Sequence, residues 1–436
     1  MSYKSSVSLC SLLMLVVFTF SACGFPALNT RGDDNSLLLR LQITDEQVGW
    51  ASDFPAAADL AIILGTRGDA VVPAFDYENN GNRILPWQWL QSVSEAFYPT
   101  EVGDALDLEN YYEEWRLVSI RVTPCGPIGI TPDQDIDSLC WPAVRLVWQP
   151  VIEDMTLAWG VTTPSYADDR AIHAIYPLVP RDEDGHILST HNRDEVMEHL
   201  QLGRSHYSIA DSWREQFERE RDTTALWLLN RVHDLRDPNL GVGSWNSIQV
   251  RAELEGSFES AADFTGKLRA LLAEVAVNEN LAEMTAFSLP EGRAPASADL
   301  WVFVGFDGNR GNPRLKDLTV IGRDSGQELI NIGPSQSVGV GFEDPVVEQE
   351  LEAGNWELAD SLIVGVDEIA TKGESIADPY EFLVPNTSCA SCHRLNNDLR
   401  FNFHALSGFE TDDVFVSPRV TKDVMRELDW VLYGGR

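Results

Sequence analysis

The chain has 436 residues, 44% of them hydrophobic, which is enough apolar material for one large or two medium cored domains. Asp and Glu number 68 against 32 Lys and Arg, a formal net charge of −36. That lies far outside the range usual for a soluble domain and excludes nucleic acid as a partner, because binding phosphate needs basic patches. No base lies between Arg83 and Arg116 or between Arg323 and Lys372, although acids such as Glu113, Glu114, Glu343 and Asp344 crowd both stretches. Such runs serve either as a solvated surface, with self-repulsion screened by salt, or as a face that steers a cationic partner.

In chain order the first element is an export leader. Lys4 precedes an apolar run from Leu9 to Phe20, too short to span a bilayer permanently and typical of a signal-peptide core. Cys10 leaves with it. The run ends in Phe20-Ser21-Ala22-Cys23, which resembles the lipobox of bacterial lipoproteins, where two small residues precede the cysteine that is lipidated and becomes residue one. The resemblance implies a signal peptide over 1–22, lipidation of Cys23, a tether over 23–36 and a membrane anchor with several acyl chains. Gly24 and Phe25 stand where retention in the inner membrane calls for aspartate. The expected location is therefore the cell envelope, with the outer membrane favoured.

Residues 37–340 carry strand patterns at Leu37–Ile43, Trp115–Thr123, Ala143–Val151, Ala171–Leu178, Ile248–Leu254, Asp299–Phe306 and Leu318–Gly322. Cys125 and Cys140 flank the loop between the second and third of these. The spacing predicts a hairpin stapled by a disulfide, and closing a loop of about 15 residues contributes ~3 kcal/mol in the chain-entropy model. One helix is predicted from about Ile209 to Leu235, its acids and arginines facing outward. Another contains Phe264, Leu268, Leu271, Leu272 and Val275 on one face, with Asn278 as its stop. The order does not alternate strand and helix regularly, so the expected class is α+β with a large mixed sheet. The 13 tryptophans, spread along strands, read as core.

Enzyme motifs are absent from this region: no GxSxG, phosphate loop, GxGxxG or HExxH occurs. Six histidines, among them His173, His186, His191, His199, His206 and His233, lie close in sequence but match no ligand spacing. Asp133, Asp135 and Asp137, and separately Asp76, Glu78 and Asn80, begin like calcium loops yet lack the glutamate at the twelfth position. Asp-rich turns account for both.

The region 341–436 holds the sequence Cys389-Ala390-Ser391-Cys392-His393. A thioredoxin-type CxxC would open a helix after a strand, and half a zinc site would need two further ligands nearby; neither context is present. The motif is that of c-type haem attachment: two thiols add across the vinyl groups and the adjacent histidine sits beneath the iron. Haem attachment takes place outside the cytoplasm, in agreement with the lipobox. The resemblance to c-type cytochromes covers this motif only, since 43 residues follow His393, fewer than a small cytochrome c uses for its remaining ligand loop and helix. The tail also resembles a family of bacterial lipoproteins ending in a haem motif. Arg394 and Arg400 are candidates to pair with the propionates. His404 is the expected second iron ligand, with Met425 the alternative.

A last helix is predicted over SPRVTKDVMRELDWVLYG, capped by Ser417, opened by Pro418 and ended by Gly434, with Val420, Val424, Leu428 and Val431 as its apolar face. The sequence thus predicts a large exported domain with a short, mostly helical haem-bearing end, acting in electron transfer with a redox partner. A haem enzyme or ligand sensor with an open distal site, peroxidase-like, is the alternative, and a structural envelope lipoprotein is the third reading.

Overall fold

The computed structural model describes residues 54–65, 72–73, 78–79, 82–85, 87–97, 115–127, 140–152, 155–156, 162–163, 166–167, 171–182, 184–188, 211–277, 280–288, 302–309, 312–316, 318–319, 326–331, 337–340 and 418–433. They form an α+β arrangement in which helices cover a twisted antiparallel sheet. The sheet strands are β1 (Ala61–Ile63), β2 (Val72–Pro73), β3 (Trp115–Pro127), β4 (Cys140–Ile152), β5 (Tyr166–Ala167), β6 (Ala171–Pro177), β7 (Glu283–Ser288), β8 (Val302–Asn309) and β9 (Asn312–Lys316). Their order is β1-β3-β4-β6-β7-β8-β9, with β2 also on β3 and β5 also on β4. Each described strand pairing is antiparallel; one isolated bridge, Ile63 to Val250, is parallel. The predicted strand at Leu37–Ile43 lies outside the described residues.

The hairpin β3–β4 carries the sheet, and its sequence explains its geometry. Val, Ile and Trp suit a pleated, half-buried surface. Pairing runs from Trp115 opposite Pro150 to Pro127 opposite Cys140, with a register shift between Leu117 and Ser119. A bulge there inverts the inward parity of β3. Trp115 and Leu117 before it, and Ile120 and Val122 after it, therefore share one core with Val144, Leu146 and Trp148 of β4. Val118, the extra residue, packs on the other face with Ile63 and Val147. Among the tryptophans, Trp89, Trp115, Trp141, Trp148, Trp245 and Trp430 are buried, as core residues should be.

The helices are α1 (Ala57–Leu60), α2 (Trp87–Phe97), α3 (Asp211–His233), α4 (Ala252–Glu255), α5 (Phe258–Val275) and α6 (Pro418–Tyr433). In α5 the buried residues are Phe264, Leu268, Leu271, Leu272 and Val275, the face that the 3.6 period gives. Ser257 caps it by accepting the Ser260 N–H, and each buried side chain contributes roughly 1.5–3 kcal/mol. The helix stops at Val275 and not at Asn278, because Ala276 leaves helical geometry while its N–H still reaches the Leu272 carbonyl. Helix α3 packs across β3 and β4. Two of its ionic residues, Arg221 and Asp222, are buried and paired at 2.8 Å, against the expectation that its charges face outward. The Arg221 guanidinium lies 5.4 Å from the Trp430 ring of α6, which covers it.

The predicted strand at Ile248–Leu254 is replaced by a single bridge followed by a helical turn. Val250 bridges Ile63, the Arg251 N–H donates to the Ile63 carbonyl, and α4 begins at once. The reason lies in two charged side chains that bond each other and a buried carboxylate. Arg251 and Glu253 both turn inward and are buried with Asp59. Of the other predicted strands, Asp299–Phe306 appears as β8, displaced toward Asn309, and Leu318–Gly322 appears as a two-residue strand, Leu318–Thr319, outside the main sheet. No helix among the described residues is long and apolar enough to cross a membrane.

Candidate functional site

Cys23, Cys389, Cys392, His393, Arg394, Arg400 and His404 lie outside the described residues. The structure reaches the C-terminal region at α6 and shows the surface on which it is seated. The apolar face of α6 is as predicted, with Val424, Leu428 and Val431 buried in the main core and Val420 packed against it. Trp430 and Glu427 are buried as well. Met425 is half-buried and packs against the same core.

Opposite α6 stands the end of β3, where the predicted disulfide joins Cys125 to Cys140 with Cα atoms 4.8 Å apart. Two polar contacts link the hairpin to the helix. Arg121 Nη2 donates to Asp423 Oδ2 at 3.1 Å, and the Cys125 backbone N–H donates to Glu427 Oε2 at 3.1 Å. Asp423 also pairs with Arg426 at 3.1 Å. Burial is the largest influence on Glu427 and pushes its carboxyl up to about 8; Asp423 pushes the same way, while Arg426, Arg121 and the Cys125 N–H oppose it. Burial thus favours the protonated acid in the folded protein, while Arg426 Nη2, 3.6 Å from Glu427 Oε1, favours the charged form. The sequence does carry a sign of this residue, because Glu427 lies three positions after Val424 and four before Val431, inside the apolar stripe.

A folded-state value above the unfolded one means that the folded protein holds a proton which the unfolded chain releases. The stability linked to Glu427 is full below about pH 4.5 and is lost progressively as pH rises toward 8. Glu427→Gln should therefore flatten the alkaline decline. The variant should match the native protein near pH 5 and exceed it near pH 9, measured as denaturant midpoints. An unchanged slope between those values would refute the assignment.

A second polar group forms at the turn Arg181–Ile187. Among the described residues, the one group of three or more candidate metal ligands is Asp182, Asp184 and His186. Asp182 Oδ1 already accepts the N–H groups of Asp184 at 3.0 Å and His186 at 2.8 Å, so turn geometry explains the cluster. The turn is fixed from below. The Arg181 guanidinium stacks 3.6 Å from the Trp227 ring centre, and Gly185 has φ +81, where a Cβ would lie 2.6 Å from Trp227 Cδ1. The Thr223 hydroxyl donates to the Arg181 carbonyl and Thr224 accepts the Arg181 N–H. His173 sits on β6 and His233 ends α3 against Phe54, so neither joins His186 in that cluster.

The third polar feature went unread in the sequence. Asp59 of α1, Arg236 after α3, and Arg251 and Glu253 around α4 form a buried, charge-balanced network. Arg236 reaches Asp59 through Nε at 3.1 Å and Nη2 at 2.5 Å. Arg251 donates to Asp59 Oδ1 at 3.3 Å and grips Glu253 through Nε at 2.9 Å and Nη2 at 2.8 Å. Trp245 donates to Glu253 at 3.0 Å. Burial works to raise the Glu253 carboxyl, but the hydrogen bonds and charge of Arg251, aided by Trp245, outweigh it and hold it below the usual range. Each charge in the network has its opposite, which marks it as architecture that fixes α1, α3 and α4 together.

The chain matches no protein-family profile, no curated protein and no solved structure.

Proposed function

We propose that the chain is a membrane-anchored, monohaem c-type cytochrome lipoprotein that carries electrons in the cell envelope. The observation that carries this reading is the pairing of two motifs with one requirement: Phe20-Ser21-Ala22-Cys23 and Cys389-Ala390-Ser391-Cys392-His393 both act only outside the cytoplasm. The donor set suits one haem. Cys125 and Cys140 are joined to each other, so the thiols of Cys389 and Cys392 remain for the two vinyl groups. In this reading His393 and His404 would hold the iron, with Met425 the alternative to His404. Arg394 and Arg400 pair with the propionates as bidentate donors. The haem supplies one-electron exchange at iron. The net charge of −36 supports a cationic redox partner, whose association would weaken as salt is raised. The haem-bearing end is then a short helical segment resting on a large exported domain.

The visible spectrum of the purified protein, oxidised and reduced, tests this reading. A c-type spectrum is expected, with one haem per chain that survives acid extraction. Non-reducing peptide mapping should recover Cys125 joined to Cys140, with Cys389 and Cys392 as haem thioethers. Free thiols at Cys389 and Cys392, from cells with an intact attachment pathway, would reject the cytochrome. A haem that is five-coordinate in the unsubstituted protein and binds peroxide or carbon monoxide would favour the open-site enzyme or sensor.

Anchoring has its own test. The mature chain should begin at a lipidated Cys23 and partition with membranes, and Cys23→Ala should block processing. A soluble mature protein with another first residue would exclude the lipoprotein.

A further inference from the structure

The last described element, α6, closes the fold against its earlier strands. It packs on α1 and β3 and adds Val424, Leu428, Trp430 and Val431 to the main core. An apolar stripe alone sets a helix on a sheet without fixing its position along the strand. Position here comes from two contacts that join residues 302 apart, Arg121 to Asp423 and the Cys125 N–H to Glu427. Both donors stand on β3.

Cys125 falls at the second irregularity of the hairpin, between Thr123 and Gly126, and has no cross-strand partner in the register. Its buried N–H therefore depends on an acceptor from outside the sheet, and Glu427 supplies it. The disulfide to Cys140 fixes where that N–H points. The seam also holds two of the six buried side-chain polar atoms without a hydrogen-bond partner among the described residues, three of the others being on β3 and β4. Arg121 Nη1 and Glu427 Oε1 are both buried and have no hydrogen-bond partner among the described residues. The large sheet beyond it is continuous from β4 through β6, β7 and β8. The sheet strands are joined by backbone ladders, whereas α6 is held to β3 by side-chain packing and polar contacts, so the fold opens at α6 before it opens through its sheet.

We propose that α6 is a latch. It undocks from β3 as a unit while the sheet stays folded, with Glu427 as the catch and the disulfide-fixed Cys125 N–H as its seat. The chain bearing Cys389, Cys392 and His393 enters this helix at Pro418, twenty-five residues after His393. If that chain holds haem, the latch sets whether the helix that follows the haem motif is docked or free. That consequence rests on the cytochrome reading, whereas the latch stands without it and is tested without reference to haem.

Hydrogen exchange followed by mass spectrometry on the full chain decides the matter. In the native protein, α6 amides should exchange at least about tenfold faster than those of β6 and β7. Glu427→Ala, and the paired Cys125→Ser and Cys140→Ser variant, should speed α6 by roughly tenfold more while β6 and β7 stay within about twofold. Glu427→Gln, whose side-chain oxygen still accepts the Cys125 N–H, should remain close to native. Asp423→Asn weakens the Arg121 contact, together with the Arg426 pair within α6, and gives a second reading if the serine pair does not accumulate, with the same local acceleration expected. The latch is overturned if α6 exchanges in step with β6 and β7 in the variants, or if Glu427→Ala and Asp423→Asn leave α6 unchanged.

Discussion

Arg251→Met is expected to lower the unfolding free energy by about 3–5 kcal/mol, because removing one partner of a buried ion pair strands the other. Arg251 is 1% exposed and, among the described residues, bonds both buried carboxylates, Asp59 and Glu253. Without it Asp59 keeps Arg236, but Glu253 keeps no cation among the described residues, only the Trp245 N–H, its own backbone N–H and a 3.3 Å approach from the Asp237 N–H. The penalty is therefore charge left in a medium that cannot solvate it, since methionine fills much of the lost volume. Adding Glu253→Gln removes that charge and should recover a substantial part of the loss. An exposed pair gives the contrast. Lys267 and Asp263 approach to 2.7 Å with side chains 36% and 60% exposed, and Lys267→Ala should cost under ~1 kcal/mol. Denaturant titrations of the four proteins check this. An Arg251→Met effect no larger than the Lys267→Ala effect would show that the network holds nothing together.

The same network shows where the sequence could be read and where it could not. Period and flanking residues were enough for β3, β4, β6, α5 and α6, because each buries one consistent face on a single core. The disulfide followed from two cysteines facing each other across a hairpin. The stretch Ile248–Leu254 was unreadable for the opposite reason. Its β-branched Ile248 and Val250 suggest a strand, but Arg251 and Glu253 are turned inward by Asp59, nearly 200 residues earlier, and local pattern carries no trace of such a partner. Arg221 and Asp222 were assigned to the surface for want of the same knowledge, since Trp430 covers them only after α6 docks. Glu427 was half legible: its position in the apolar stripe is visible, but the lone Cys125 N–H it satisfies depends on an irregularity in β3.

His404→Ala should convert the iron from six- to five-coordinate, and Met425→Ala should not. The argument compares two side chains that the tail offers beyond His393. Met425 half-buries its thioether against the core formed by α6 and the sheet, so using it on iron would require pulling a packed side chain out of that contact. Its truncation should instead cost stability, roughly 1–3 kcal/mol for a partly buried methionine. The sequence LRFNFHAL alternates, so an extended segment there would put Leu399, Phe401 and Phe403 on one face and Arg400, Asn402 and His404 on the other. That would place the proposed ligand and a proposed propionate partner together, and ten residues between His393 and His404 are chain enough to pass around a haem edge. Two histidines also predict a lower reduction potential than a histidine and a methionine, because thioether ligation raises the potential. Electronic spectra and redox titration of the two alanine variants beside the native protein separate the cases. A low-spin, six-coordinate iron that survives His404→Ala and is lost in Met425→Ala would assign the ligand to Met425, and would mean that α6 presents its margin to the haem and not to the sheet.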